Sequence, residues 1–285
     1  MPNLLIGFIG QGFIGKSYAD DFVNRGYEVV RYSLEPEYIN NQARIADCDI
    51  VFIAVPTPTT PAGFNYDILK DVLALAGPKK SVVIKSTILP GTCAQLQELY
   101  PNLYIFHSPE FLTEKNAAFD AAHPTRNIIG CPVSNEEYQR RAQEILDILA
   151  PAALSFICSA KEAEIIKYAA NSFLFMKVIY ANIFYDLAAK EGSDWEKIVA
   201  GLSADPRIGT SHLNPVHSSG INKKIGRGAG GNCFVKDFAA LREYAEKAGL
   251  DELSLDFLRS AEKKNISLLK NSGKDIELLE SVYGV

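Results

Sequence analysis

Cys233 stands apart from the other cysteines by its surroundings. It follows Gly226-Arg227-Gly228-Ala229-Gly230-Gly231-Asn232, and Lys236 and Asp237 come just after it. Glycines let a backbone come close to a ligand. A thiol becomes a useful nucleophile where a cation or a helix N-terminus stabilises its thiolate, and the helical pattern at residues 234–248 offers such a start. The other reading is a buried structural thiol, the commonest state of an unpaired cysteine. That reading is taken for Cys48, Cys93, Cys131 and Cys158, which lie in or beside apolar strands and helices.

Lys167 and Asn171 are four residues apart in a helical pattern, so they share one face. An ammonium and an amide aimed at developing negative charge form an oxyanion clamp. The same pair could belong to a solvated stripe, with Glu164, Lys177 and Asn182 marking a wet side. The pattern alone leaves both open. Glu110 and Glu114 have the same spacing, beyond a strand end of the kind that places ligands in α/β sheets. Their alternative is an exposed helical turn.

A second kind of chemistry is written near the N-terminus. A strand over residues 4–9 runs into Gly10-Gln11-Gly12-Phe13-Ile14-Gly15, which opens a helix. One glycine serves the tight turn, one the backbone approach to a pyrophosphate and one the helix–strand packing. The helix N-terminus then offers oriented N–H groups to the phosphates. The acidic residue expected about 20 positions on, for the ribose hydroxyls, is replaced by Ser33. Glu35 could substitute from the loop, while Arg31 fits a 2′-phosphate. The cofactor is read as NAD, with NADP left open.

These residues need a scaffold, and the chain supplies an alternating one. Strand patterns fall at residues 4–9, 27–32, 49–55, 81–86, 103–108, 127–131 and 153–158. Helical patterns lie between them at 15–25, 66–76, 91–99 and 135–149. Continuous Val/Ile/Leu runs are the mark of buried parallel strands. After Ser159 the strand patterns stop. One long helical pattern covers 162–190, Asp194 caps a helix reaching Leu202, and further helices run over 236–248 and 252–269, with a Gly/Ser/Asn/Pro-rich stretch at 206–232. The expected architecture is α/β: a Rossmann-like parallel sheet in residues 1–158, then an all-helical domain with one long helix in 159–285.

The bulk composition narrows the partners. A chain of 285 residues with a net charge of -5 and no Lys/Arg cluster gives no electrostatic reason to expect nucleic acid. The apolar runs are read as too short or too broken by charge to cross a membrane. The apolar N-terminus lacks a basic segment and is interrupted by glycines, so it is not read as a signal peptide. Five scattered cysteines without a CxxC pair argue for reduced thiols in a cytoplasmic protein, and against disulfides or a metal site.

Taken in order, Val55-Pro56-Thr57-Pro58-Thr59, the run from Lys85 to Thr92, Ser108 to Glu114, Pro124 to Gly130, Glu162 to Phe173, Asp205 to Gly209 and Gly226 to Asp237 resemble the motifs of the UDP-glucose/GDP-mannose dehydrogenase family. The resemblance covers nearly the whole chain. It implies that Val55, Pro56, Thr57 and Thr87 join Gly10, Gly12, Phe13, Ile14, Gly15 and Ser33 around the cofactor. It further implies that Lys167 and Asn171 contact the reacting alcohol. Cys233 would be the nucleophile, Asp237 would handle a proton or water, and Glu110, Glu114 and Thr87 would position water and substrate. The implied reaction is a four-electron oxidation of a sugar C6 alcohol to a carboxylate, through a thiohemiacetal and a thioester on Cys233. A homodimer built on the long helix is also implied.

The chain departs from the family pattern in several places. The family usually continues into a further C-terminal α/β domain that binds the nucleotide sugar. The cysteine motif commonly reads GFGGSCFPKD, whereas Ala229, Asn232 and Val235 stand here in place of Phe, Ser and Pro. Thr113 stands where arginine is common, and the segment between Ser33 and Asp49 is short. These departures point to a smaller or differently presented alcohol, or to a substrate surface supplied by a partner chain. Two other readings remain: a two-electron β-hydroxyacid-type dehydrogenase, which needs no thiol, and a non-catalytic nucleotide-binding descendant.

Overall fold

The computed structural model describes residues 4–218 and 224–285; the remainder of the expected 206–232 loop lies outside them. The elements, in chain order, are β1 (Leu5–Ile9), α1 (Phe13–Asn24), β2 (Glu28–Tyr32), β3 (Ile50–Ile53), β4 (Thr59–Thr60), β5 (Gly63–Phe64), α2 (Asp67–Leu73), β6 (Ser81–Ile84), α3 (Thr92–Leu99), β7 (Tyr104–His107), α4 (Ala117–Ala122), β8 (Arg126–Cys131), α5 (Glu136–Ile148) and β9 (Leu154–Ser159). There follow α6 (Ala160–Lys190), α7 (Trp195–Ser203), β10 (Val216–Ser218), β11 (Ile225–Arg227), α8 (Gly231–Lys247), α9 (Glu252–Ser272) and α10 (Ile276–Tyr283). The contacts divide them into two units, Met1–Thr57 with Tyr66–Lys167, and Pro58–Asn65 with Tyr168–Val285. Helix α6 runs through the division.

The first unit is a seven-stranded sheet in the order β2-β1-β3-β6-β7-β8-β9. All seven expected strands are in it. Its neighbours are parallel except β7 and β8, which meet antiparallel at His107 and Gly130, so β8 and β9 run against the other five strands of a sheet expected to be parallel throughout. The chain leaves β1 for β2 on one side, then crosses to β3 on the other. That places a topological switch point at the carboxyl ends of β1 and β3, where open α/β sheets bind their ligands. The short 33–49 segment holds a 3-10 helix, Ile39–Asp47, between β2 and β3. Apolar side chains on the strands fill the core. Phe8 and Phe52 stack at 5.1 Å between ring centres, and Phe22 of α1 meets both.

Helix α6 starts by a capping box: Glu162 accepts from the Ser159 N–H at 2.8 Å, and Ser159 Oγ accepts from the Glu162 N–H at 3.3 Å. It runs 31 residues without Pro or Gly and stops before Gly192, whose φ of 62° suits glycine. Against the expectation that no apolar run is long enough, α6 is long and apolar enough to cross a membrane by length and composition. In the second unit it packs on α8, where Phe175 and Phe238 stack at 3.9 Å. Asp194 caps α7 as expected, accepting from the Glu196 N–H at 2.9 Å.

Among the described residues, the second unit is helical apart from two short hairpins, β4–β5 and β10–β11, so "all-helical" was too strict. Neither hairpin has enough residues to show alternation. Helix α10 was also not foreseen; Leu279 and Val282 bury it against Val235, Ala239 and Leu269.

Candidate functional site

At the switch point, Gly10 has φ 88° and donates its N–H to the Tyr32 carbonyl at 2.8 Å. A Cβ at Gly10 would fall 2.2 Å from the Ala54 oxygen, and one at Gly15 would fall 1.9 Å from the Gly10 oxygen. Only glycine fits at either place. Gly12, by contrast, has open space on its Cβ side and is the N-cap of α1, with no side chain capping the first turn. The N–H groups there are left for an anion, so the residues present fit a dinucleotide pyrophosphate.

The ends of β3 and β6 are stitched together beside that turn. Ser86 Oγ accepts from the Val55 N–H at 3.0 Å and donates to the Val55 carbonyl at 2.8 Å. Thr57 Oγ1 donates to the Thr87 carbonyl at 2.7 Å. Ser33 Oγ accepts from the Glu35 N–H at 3.3 Å. Arg31, the residue that fitted a 2′-phosphate, is held by Asp20 at 2.6 Å, which weighs against that use.

Further along the sheet edge, Lys167 is buried, and its Nζ donates to both the Glu110 carboxylate and the Glu110 carbonyl at 2.7 Å each. The other carboxylate oxygen of Glu110 accepts from the Leu112 N–H at 2.8 Å. Behind the pair lies Lys85, also buried, donating to Ser108 Oγ at 2.9 Å with Tyr18's ring 4.4 Å away. Burial pulls the Lys85 ammonium down to about 7, partly opposed by Glu110. His107 is fully buried and held neutral, pushed down to about 3 by burial and then by Lys85 and Lys167. Neither of its ring nitrogens has a hydrogen-bond partner among the described residues.

In the second unit, Asn171 Nδ2 donates to Asp237 Oδ2 at 2.7 Å, and Lys236 Nζ meets Asp237 Oδ1 at 2.5 Å. Asp237 is buried. Helix α8 begins at Gly231, three residues before the expected start, so Cys233 lies within its first turn and not ahead of it. It is half-buried, whereas Cys48, Cys93 and Cys131 are buried. Burial pushes Cys48, Cys131 and Cys158 up to about 11 and Cys93 well above its ordinary range.

The residues taken to mark a wet side of α6 do not form one. Glu164 and Asn182 are fully buried, and Lys177 donates to the Ile208 carbonyl at 2.8 Å. Glu164 accepts from the N–H groups of Gly91 at 2.5 Å and Cys93 at 2.8 Å, a carboxylate on the N-terminus of α3. Asn182 accepts from Arg227 Nε at 2.9 Å. Nor do Glu110 and Glu114 share a helical turn. Glu110 is buried in the irregular segment after β7, while Glu114 is exposed at the start of a 3-10 turn, Glu114–Asn116, and belongs to neither group above. Lys85 and Glu164 were the polar residues missed. Their signal, a charged residue inside an apolar strand end or helix face, was visible; Glu164 was read as solvated and Lys85 only as the start of a motif.

A sheet with its switch point at a glycine turn, followed by a helical unit entered through one long helix, defines a Rossmann dinucleotide-binding protein. Residues 38–149 match the UDP-glucose/GDP-mannose dehydrogenase family, NAD binding domain, and residues 161–267 match the central domain of the same family. The chain belongs to that family, and its cofactor is NAD. It is 31% identical over 256 residues to the UDP-glucose 6-dehydrogenase of Rickettsia typhi, covering 86% of this chain and 55% of that protein. It is 33% identical over 238 residues to the enzyme of the same name from Pseudomonas aeruginosa, covering 78% and 49%. The chain thus spans about half the length of these relatives. Among solved structures, a UDP-glucose dehydrogenase from Pyrobaculum islandicum superposes with TM-score 0.79 at 25% identity, covering 97% of this chain and 70% of that one. A Mycobacterium tuberculosis 3-hydroxyisobutyrate dehydrogenase shares the fold, with TM-score 0.68 at 18% identity and 94% of both chains covered.

Proposed function

We propose that the chain is an NAD-dependent dehydrogenase that oxidises a nucleotide-sugar primary alcohol, or a related sugar alcohol, to the carboxylate by way of Cys233. The observation that carries this reading is the Asn171–Asp237 hydrogen bond, which ties the amide of the Lys/Asn helix pair to the helix that bears the thiol. Bound NAD supplies the hydride acceptor for each two-electron step. Lys167 and Asn171 hold the substrate oxygen and stabilise its negative charge as the alcohol loses its proton. Glu110, already hydrogen-bonded to Lys167, aims that ammonium and is the nearest proton acceptor for it. The Cys233 thiolate then adds to the aldehyde carbon. Tethering keeps a reactive aldehyde from escaping and presents a carbon that can lose a second hydride, leaving a thioester. Water cleaves the thioester with Asp237, or Glu114 brought in from its exposed loop, taking the proton; Thr87 helps position water and substrate.

The substrate surface differs from the common family pattern. Ala229, where an aromatic is usual, is fully buried among Phe175, Phe238, Ala261 and Leu268. Thr113, where arginine is usual, is engaged with Asp120 at 2.7 Å. Both support a smaller or differently presented sugar. On α6, Phe173, Tyr180, Phe184 and Leu187 are exposed at spacings that put them on one side of the helix. That stripe supports a homodimer built on α6.

A second reading is a two-electron dehydrogenase of small hydroxy acids, which would use the Lys167 and Asn171 pair of α6 and need no thiol. A panel of nucleotide sugars, free sugars and β-hydroxy acids, assayed for NAD⁺ and NADP⁺ reduction, separates the two. Reduction of NAD⁺ with a sugar substrate supports the first; reduction with β-hydroxy acids alone overturns it.

A further inference from the structure

The glycine run before Cys233 is gripped almost residue by residue from the end of α9. Asn265 Oδ1 accepts from the Ala229 N–H at 2.7 Å, and its Nδ2 donates to the Ala229 carbonyl at 2.9 Å. Ser272 Oγ accepts from the Arg227 N–H at 3.0 Å. Lys274 is fully buried and donates to the Gly228 carbonyl at 3.0 Å. Its ammonium also lies 3.1 Å from His217 Nε2, while His217 Nδ1 lies 2.9 Å from the Asn214 carbonyl. The carbonyl can only accept, so Nδ1 is assigned the hydrogen and Nε2 accepts from Lys274. Asp275 Oδ2 accepts from the Gly231 N–H at 2.8 Å, the first residue of α8.

The backbone is built for this grip on both sides. Gly228 has φ 93°, and a Cβ there would come within 3.0 Å of Asn265 Oδ1. Asp275 has φ 52°, a left-handed conformation that aspartate and asparagine tolerate better than most residues. A buried ammonium and a non-glycine left-handed residue in succession are both unfavourable locally. Here both point at the turn that carries Cys233.

We propose that the Ser272–Asp275 segment is a positioning clamp for Cys233, in which Lys274 fixes the glycine turn and Asp275 caps the first turn of α8 from outside the helix. The inference rests on reading Cys233 as the nucleophile. Neither Lys274 nor Asp275 touches substrate or cofactor in this account; they act through the backbone that orients the thiol. A loosened turn no longer presents an ordered helix N-terminus to the sulfur, and the thiolate loses that stabilisation.

The test uses the full chain and three variants. Asp275→Gly keeps the left-handed backbone but removes the acceptor; Asp275→Asn keeps both an acceptor and the backbone; Lys274→Met removes the ammonium at similar length. The readout is the rate of Cys233 alkylation by iodoacetamide at pH 7, followed by peptide mass spectrometry, with the other four cysteines reporting whether the fold is intact. Asp275→Gly and Lys274→Met are expected to slow Cys233 about fivefold or more, and Asp275→Asn to stay within about twofold of the parent. Rates for Asp275→Gly and Lys274→Met that are unchanged or raised, with the other cysteines still protected, overturn the clamp. If Lys274→Met exposes the other cysteines, the Asp275 pair decides alone. Should no sugar be turned over while the rates split as expected, the reaction proposed above fails and the clamp stands.

Discussion

Lys167 reaches Glu110 twice, at the carboxylate and at the backbone carbonyl, and both side chains are 4% exposed. A buried pair of this kind is tolerated only because each charge satisfies the other. Lys167→Met leaves the Glu110 carboxylate buried alone and is expected to destabilise the chain by about 3–5 kcal/mol. Adding Glu110→Gln removes the orphaned charge, so the double variant is expected to be more stable than the sum of the two singles. Denaturant unfolding of all four proteins gives the coupling. Additive effects would show that the pair does not interact in solution.

The five thiols are expected to divide sharply. Burial holds Cys48, Cys131 and Cys158 at about 11 and Cys93 well above its ordinary range, so at pH 7.5 they carry almost no thiolate. Cys233, half-buried in the first turn of α8, should alkylate first in the native protein. Mass spectrometry of the labelled peptides decides. Earlier labelling of any other cysteine would count against the nucleophile assignment.

Glu164 makes stability depend on pH. Burial raises its carboxyl from 4.5 to about 7, despite the two N–H groups it accepts. A raised folded value favours the protonated form, so its stabilising contribution is complete below about 4.5 and is lost as pH rises through about 7. Glu164→Gln cannot titrate. The stability of the parent relative to this variant should therefore fall by up to about 3 kcal/mol between pH 4.5 and 7.5. Thermal or denaturant unfolding across that range measures it; a constant difference would refute the assignment.

The α6 stripe gives an assembly prediction. Phe173 is 69% exposed, and Tyr180 and Leu187 follow along the same side. Phe173→Asp is expected to convert a dimer into monomers while leaving the far-ultraviolet circular dichroism unchanged. Sedimentation velocity is the measurement. A parent that sediments as a monomer at micromolar concentration would remove the dimer reading.

The seven strands were legible because buried parallel strands are written as unbroken apolar runs, but the antiparallel meeting of β7 and β8 was not, since strand direction is set by the connection and not by the run. The glycine turn was legible because Gly10 and Gly15 cannot be replaced on steric grounds, and their spacing is local. What stayed hidden depends on partners distant in sequence. Glu164 looks like surface until Gly91 and Cys93, more than 70 residues away, supply its N–H donors. The partners of Lys167 and Asn171 were equally hidden, since Glu110 and Asp237 lie more than 50 residues away. The clamp on Cys233 was invisible for the same reason: Lys274 and Asp275 lie over 40 residues from the backbone they hold.

The central claim is that Cys233 carries the substrate between two oxidations, and the direct measurement is stoichiometry. With a sugar substrate found by the panel, the parent chain is expected to reduce two NAD⁺ per substrate consumed and to release a carboxylate. Cys233→Ser is expected to stop short of that ratio, releasing aldehyde in place of the acid. One NAD⁺ per substrate in the parent, with Cys233→Ser equally active, would contradict the account and leave a two-electron dehydrogenase.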